Sequence, residues 1–310
     1  MLDLGFKEDL EFILSHAPEI RRTLMFSATV PKSIAHLAKS YQKDSVRVST
    51  VAEKSQHSDI EYRALGVAAR DTENAIINVL RFYEAPNALV FANTRVMVNR
   101  LTTRLSNRGF SVVSLSGELS QTERSHALQA MRDGRARICV ATDVAARGID
   151  LPNLDLVVHA ELPTNYEILM HRSGRTGRAG RKGISVLIVP PSARRKAERI
   201  LQGAKVVAEW AAPPSADEVK AKDRERLMAD PAWQEEISPK EQSSVDELLS
   251  HFTPSQIAVA YLRLYTAKQS APEELVAIES KNFKDSKPSR ADDFGPTVWF
   301  SLPGGRSTGT

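Results

Sequence analysis

The sequence predicts an α/β domain built on a mostly parallel, doubly wound sheet, and three observations carry that prediction. From about residue 60 to residue 205, short β-rich apolar runs alternate with segments of helical period, the pattern that places helices on both faces of a parallel sheet. Helix stops and starts fall at the junctions between the two kinds of segment. With 310 residues, 42% of them apolar, the chain is long enough for one large or two ordinary domains, each with a real core.

Taken in order, residues 1–50 hold a helical pattern, a strand at 23–29 ("TLMFSAT"), a helix over 32–40 and a short "SVRVS" run. Two strands and two helices are too little to bury a doubly wound sheet, so 1–50 reads as the tail of a domain whose beginning is absent. Strands are predicted at 60–67, 88–92, 111–115, 137–142, 154–160 and 184–190, from their β-branched and apolar content. Between them, 73–83, 96–107, 121–132 and 165–172 carry apolar side chains at helical spacing, as in Leu101 with Leu105 and Leu128 with Met131. Gly109 stands where a left-handed cap is wanted, and Thr164 with Glu167 forms a T-x-x-E capping box. After 205, "AAPPSA" (211–216) reads as a break. Charged helical patterns follow near 216–229, 239–251 and 254–267, the last opened by Thr253-Pro254. Residues 281–296 have the composition of a flexible linker, and "TVWFSL" starts one more strand.

Composition narrows the function classes. No run of about 18 apolar residues exists to span a membrane, and "MLDLGFKEDLEFIL" has neither the basic leader nor the cleavage site of a signal peptide. The default location is therefore the cytoplasm. The single cysteine, Cys139, sits in the apolar run "RICVAT"; it excludes an internal disulfide, argues against zinc and reads as core. The net charge is only +4, yet "HRSGRTGRAGRK" (171–182) and "ARRKAER" (193–199) concentrate the basic residues. Such clusters suit a polyanion partner or, equally, a solvated surface.

Four strands end in small or hydroxylic residues: "VFA" runs into Asn93-Thr94-Arg95, "VVSL" into Ser116-Gly117, "CVA" into Thr142-Asp143, and "TLMF" into Ser27-Ala28-Thr29. Singly these are ordinary turn residues. Together, at the edge shared by the carboxyl ends of parallel strands, they suit a phosphate backbone, to which small residues give close approach and hydroxyls donate. Beyond the helix ending near His171, Arg172, Arg175 and Arg178 are spaced by three, interrupted by Gly174 and Gly177. A guanidinium fork suits phosphate oxygens and stays charged, so these arginines either neutralise charge on a transferred phosphoryl group or pair on the surface with acids or nucleic acid. Spacing alone does not separate the two.

The segments "MLDLGF", "SAT" (27–29), "VFANTR" (90–95), "SLSGELSQTER" (114–124), "ATDVAARGID" (141–150) and "HRSGRTGR" (171–178) resemble, in order, motifs of the DEAD-box ATP-dependent RNA helicases. "SAT" alone carries nothing, whereas "ATDVAARGID" followed some twenty residues on by "HRSGRTGR" is highly specific. The resemblance covers roughly residues 1–205 and implies a RecA-like fold. Residues 1–50 would be the remnant of a first RecA-like lobe and 51–205 the second lobe. The C-terminal third resembles the extension of bacterial cold-shock and ribosome-assembly members of that family, which implies a helical extension at 206–280 able to form a homodimer and, at 281–310, a linker and the start of an RRM-like domain; a plain helical tail fits the pattern equally.

The resemblance further implies that Arg175 and Arg178 contact the ATP phosphates and that Asp150 holds the ribose. His171 and Arg172 would link the lobe to its partner lobe; Thr94, Gly117, Thr142 and Gly148, with Arg95 and Arg124 as weaker candidates, would contact the RNA backbone. Ser27, Ala28 and Thr29 would couple hydrolysis to strand separation. ATP would come with Mg²⁺, held mainly by the first lobe, since this sequence has no G-x-x-x-x-G-K-[ST] loop, no adenine-recognising Gln motif and no Asp-Glu-Ala-Asp box. The chain alone is therefore expected to hydrolyse almost no ATP. The alternative is a non-catalytic RNA-binding or regulatory protein that carries only the second lobe.

Overall fold

In a computed structural model the described residues are 7–24, 46, 48, 58–146, 149, 151, 154–177, 180–267 and 269–276. The expected strand at 23–29, for all but its first two residues, and the expected helix at 32–40 lie outside them, as do the 281–296 linker and "TVWFSL". Near the amino end, helix α1 (Lys7–Ser15) leaves Phe12 and Ile13 largely exposed.

The described chain then alternates as expected: β1 (Ile60–Gly66), α2 (Thr72–Tyr83), β2 (Asn87–Phe91), α3 (Arg95–Asn107), β3 (Val112–Leu115), α4 (Gln121–Arg132), β4 (Ile138–Ala141), β5 (Leu154–His159), α5 (Tyr166–Ser173), β6 (Gly183–Val189). It continues through α6 (Arg194–Ala204), β7 (Ala208–Ala211), α7 (Ala216–Met228), α8 (Pro239–His251) and α9 (Pro254–Ala267). The strands form one sheet in the order β3-β4-β2-β5-β6-β1-β7, with every pairing parallel.

Side chains alternate across each strand, so each face of the sheet has its own apolar layer. Ala88, Val90, Val140 and Val158 pack under α2 and α3. Leu89, Phe91, Cys139 and Val157 face the other way with Met131 of α4, while Leu187 and Val189 meet Leu169, Ile200 and Leu201 of α5 and α6. A sheet covered on both sides explains why its strands are apolar throughout. Cys139 is fully buried, and desolvation pushes its thiol pKa up to about 12.

Local chemistry sets the helix ends. Ser120 and Glu123 close a reciprocal capping box on α4. Gly109, at φ +81°, follows α3 in the left-handed conformation expected of it. Two expectations need correction. The cap of α5 is Asn165, whose side chain accepts from the Ile168 N–H at 2.9 Å, so the helix starts one residue after the Thr164 box would begin it. The sheet also runs past the boundary placed at 205, because β7 pairs with β1. That boundary carried no signal: Lys205 ends α6 in the left-handed region at φ 55° without a glycine, and β7 is four residues long.

Part of the helical extension is packed on the lobe. Arg81 of α2 and Asp223 of α7 form a nearly buried ion pair at 2.6 Å. By contrast α8 and α9 bury no residue completely, and Leu248, Phe252, Leu262 and Leu264 are exposed. No described helix is long and apolar enough to cross a membrane.

Candidate nucleic-acid and nucleotide interface

The last residues of four adjacent strands lie in one register row: Leu115 beside Ala141, Ala141 beside Phe91, Phe91 beside His159. The segments that follow them therefore leave the sheet at one level, neighbours about 4.8 Å apart. This row brings together Gly117, Thr142, Thr94 and Glu161, which belong to four separate βα units. The backbone ladder continues one step further, with Thr142 N–H on Leu115 O at 3.3 Å and Ala92 N–H on Ala141 O at 3.0 Å.

Thr94 caps α3, its hydroxyl oxygen accepting the Met97 N–H at 3.2 Å, so the positive end of the α3 dipole sits at this edge. Arg95 lies over Gly117 and pairs with Glu118 at 2.6 Å; both partners are more than half exposed, so the pair is weak and exchangeable. Thr142 is buried and its carbonyl accepts the Ala146 N–H at 2.9 Å, opening the turn after β4. Arg124 of α4 donates to the Ala145 carbonyl and braces that turn from below. Ser27, Ala28, Thr29, Gly148, Asp150 and Arg178 lie outside the described residues.

Arg172 stands at the centre of the row. Expected to link this lobe to another, it is 2% exposed. Its Nε and Nη2 donate to the two carboxylate oxygens of Asp143 at 2.6 and 2.7 Å, Nη2 donates to Asn93 Oδ1 at 2.8 Å, and Nη1 to the Glu161 carbonyl at 2.9 Å. The guanidinium carbon sits 5.1 Å from the Phe91 ring centre. One planar fork thus ties α5 to the segments after β2, β4 and β5, a task matched to its geometry. Its neighbour His171 is exposed at the end of α5.

Beneath Arg172 lies a polar network that sequence reasoning missed. His159, fully buried and stacked on Phe91, shares Nε2 with Ser185 Oγ at 3.0 Å and Ser173 Oγ at 3.3 Å, and the two serines are 2.9 Å apart. Burial, with the Arg172 charge adding to it, holds the His159 pKa well below its usual value, so the ring is neutral. Tyr62 borders the same cluster, and burial pushes its phenol up to about 12 against the opposing Ser173 hydrogen bond. A signal existed: His159 and Ser185 interrupt the apolar runs "LDLVVH" and "GISVLIV". Polar residues inside doubly covered strands need buried partners.

Ser173 ends α5, and the loop after it is fixed at several points. Arg175 N–H bonds to Arg172 O at 3.1 Å, Thr176 N–H to Ser173 O at 3.0 Å, and the buried Thr176 hydroxyl to Leu154 O at 2.5 Å. Gly177 has φ +66°, and a Cβ there would stand 2.5 Å from Ile60 Cγ1. A Cβ on Gly183 would stand 2.2 Å from Thr176 Oγ1. Only glycine allows these approaches. On this anchored loop Arg175 is half-buried, and its Nη1 donates to the Ile149 carbonyl at 3.3 Å. The contact ties the loop after α5 to the segment that follows β4, and a guanidinium held there suits an anionic ligand.

An all-parallel sheet with sequence-distant segments gathered at the carboxyl ends of its strands is a RecA-like α/β lobe. Residues 71–180 match the family model described as the helicase conserved C-terminal domain. The chain is 40% identical over 191 residues to DEAD-box ATP-dependent RNA helicase 9 of Oryza sativa subsp. japonica, covering 61% of this chain and 30% of that protein. It is 35% identical over 218 residues to DEAD-box ATP-dependent RNA helicase CshA of Geobacillus kaustophilus, covering 70% of this chain and 47% of that protein. The chain is thus similar to DEAD-box RNA helicases, and its residues 71–180 carry the match to the helicase C-terminal domain. It spans less than half the length of either relative. The structure titled "S. cerevisiae Dbp5 bound to RNA and ADP BeF3" shares the fold, with a TM-score of 0.65 at 24% identity over 72% of this chain and 60% of that one.

Proposed function

We propose that this chain is the second lobe and C-terminal extension of an ATP-dependent RNA helicase, and that its sheet edge grips RNA through the phosphate backbone. The observation that carries this reading is the single register row of Leu115, Ala141 and Phe91, from which the segments carrying Gly117, Thr142 and Thr94 leave β3, β4 and β2. Backbone N–H groups, the Thr94 hydroxyl and the α3 amino terminus offer donors to phosphate oxygens and nothing that reads a base edge. Arg95 exchanges Glu118 for a phosphate.

ATP, when bound together with Mg²⁺, supplies the phosphoryl bond whose cleavage drives the cycle. On the reading proposed here, Arg175 and Arg178 present positive charge to its phosphates and Asp150 takes the ribose, while the buried fork of Arg172 keeps their loop at a fixed height above the sheet. Preorganised charge of this kind needs no reorganisation as negative charge develops. The phosphate loop is not among the 310 residues, so this chain alone leaves ATP almost untouched. Closure against a nucleotide-holding lobe would bend the RNA and part a duplex. Self-association through 206–280 belongs to the same proposal, and sedimentation of the chain over a range of concentrations tests it.

The main test has two arms. Fluorescence anisotropy on single-stranded RNAs of different sequence should give similar affinities that fall together with salt, and each of Thr94→Ala and Arg95→Ala should weaken all of them alike. RNA-stimulated ATPase of the chain should stay at background. Strong dependence on base sequence would overturn the backbone reading, and turnover like that of a two-lobed helicase would overturn the division of labour. Inhibition of an intact helicase by excess chain would favour the non-catalytic regulatory alternative.

A further inference from the structure

Residues 269–276, between α9 and the end of the described chain, run as an extended strap along α2. The lobe holds this strap largely by its main chain. Asn78, fully buried, donates to the Glu273 carbonyl at 2.9 Å and accepts the Glu273 N–H at 2.8 Å, so one side-chain amide reads both sides of one residue. Asp71 accepts the Val276 N–H at 3.0 Å, and Arg81 donates to the Ser270 carbonyl. Three strap side chains are engaged, the first being Gln269, whose Oε1 accepts from Arg81 Nη2 at 3.1 Å. The Glu273 carboxylate faces the Arg108 guanidinium, and Leu275 packs on the apolar layer of this face. Main-chain hydrogen bonds with alternate side-chain pockets are the chemistry of grooves that bind extended peptides.

Two further features show the strap to be an imperfect and separable occupant. Beside its start lies a cavity of about 140 Å³ lined by Leu80, Arg81, Phe110, Arg137 and Ser270, and the Ser270 hydroxyl is buried with no partner among the described residues. The helices that lead into the strap, α8 and α9, bury no residue completely and so do little to hold it down.

We propose that the groove bounded by α2, α3 and α7 is a peptide-docking site, filled in this chain by its own residues 269–276. Its partner is an extended segment of another protein carrying a carboxylate and, two positions on, an aliphatic side chain. Such a peptide displaces the strap and frees the helical extension from the lobe. The cis strap competes at an effective concentration of about mM, so a partner must fill the groove better than the strap does or meet it when the strap has lifted. Nothing in this inference depends on RNA or nucleotide.

The test uses the full chain carrying Glu273→Ala and Leu275→Ala, which weakens the strap and leaves the groove intact, and a fluorescein-labelled peptide with the sequence of residues 268–277. Saturable binding at least tenfold tighter than to the unaltered chain is expected. Arg108→Glu should abolish it, and a peptide with lysine at the Glu273 position should restore it. Absence of saturable binding, or indifference to Arg108→Glu, overturns the proposal. Hydrogen exchange on the unaltered chain is a second measurement: the Glu273 and Val276 amides should exchange well before those of Val90 and Val140. Exchange in step with those sheet amides would make the strap part of the core and refute a separable occupant.

Discussion

Replacing Arg172 with alanine tests the hub role directly. The side chain is 1% exposed and its partner Asp143 is 31% exposed. Removing one member of a buried ion pair costs about 3–5 kcal/mol, and because water reaches part of Asp143 the lower end, about 3 kcal/mol, applies. The Glu161 carbonyl and the Asn93 amide lose donors in the same step, which keeps the figure from falling lower. For a domain of this size each kcal/mol shifts Tm by about 2–4 °C, so Arg172→Ala should melt about 6–12 °C below the parent. Arg172→Lys should fall between the two, because one ammonium cannot serve a carboxylate, an amide and a carbonyl from a single plane. Thermal unfolding followed by circular dichroism reads the effect, and an Arg172→Ala, Asp143→Ala cycle isolates the coupling. A Tm within 2 °C of the parent for Arg172→Ala would show that the fork does not carry the strand ends, and the hub reasoning would be wrong.

Other outcomes follow from the same network. His159 has a folded pKa well below the 6.5 of the unfolded chain, so its contribution is complete above pH 6.5 and is lost as pH falls below it, at about 1.4 kcal/mol per pH unit. Urea unfolding at pH 7.5 and 5.5 should show this slope, His159→Asn should flatten it, and equal stability of the parent at both pH values would contradict a neutral buried ring. Gly183→Ala forces a Cβ onto Thr176 and the Gly177 backbone, and should cost about 1–3 kcal/mol. The same change should speed amide exchange at Arg175 and Thr176, and unchanged exchange there would show that the loop is held some other way. Asn165→Ala removes the α5 cap and should cost about 1 kcal/mol, a value within error of zero placing the cap elsewhere. Cys139, buried and with its pKa near 12, should resist thiol reagents until the chain unfolds; labelling of the native chain at the rate of a free thiol would contradict its place in the core.

Legibility in the sequence followed the range of the interaction responsible. Strand runs such as "ALVF" and helix faces such as Leu101 with Leu105 reflect burial periodicities that repeat within a few residues, and both matched the structure. The Ser120–Glu123 box and the left-handed Gly109 are equally local. Lys205 and β7 went unread because the left-handed turn uses a lysine and the strand's sheet partner, β1, lies far away in sequence. In the candidate site, the positions of Thr94 and Thr142 at strand ends were legible, and the direction of Arg172 was not.

The amino-acid order by itself determined the alternation of strands and helices, the apolar content of each strand, the grouping of small residues at strand ends and the arginine spacing in "HRSGRTGR". Each is a property of neighbouring residues and their solvation. Tertiary structure alone decided that Leu115, Ala141, Phe91 and His159 share one row, that Arg172 turns inward to Asp143 while Arg175 reaches the Ile149 carbonyl, and that Glu273 returns to Asn78 from 195 positions away. Strand order and buried polar pairing depend on which distant groups can satisfy one another once water is excluded, and that choice is made only when the whole sheet is assembled.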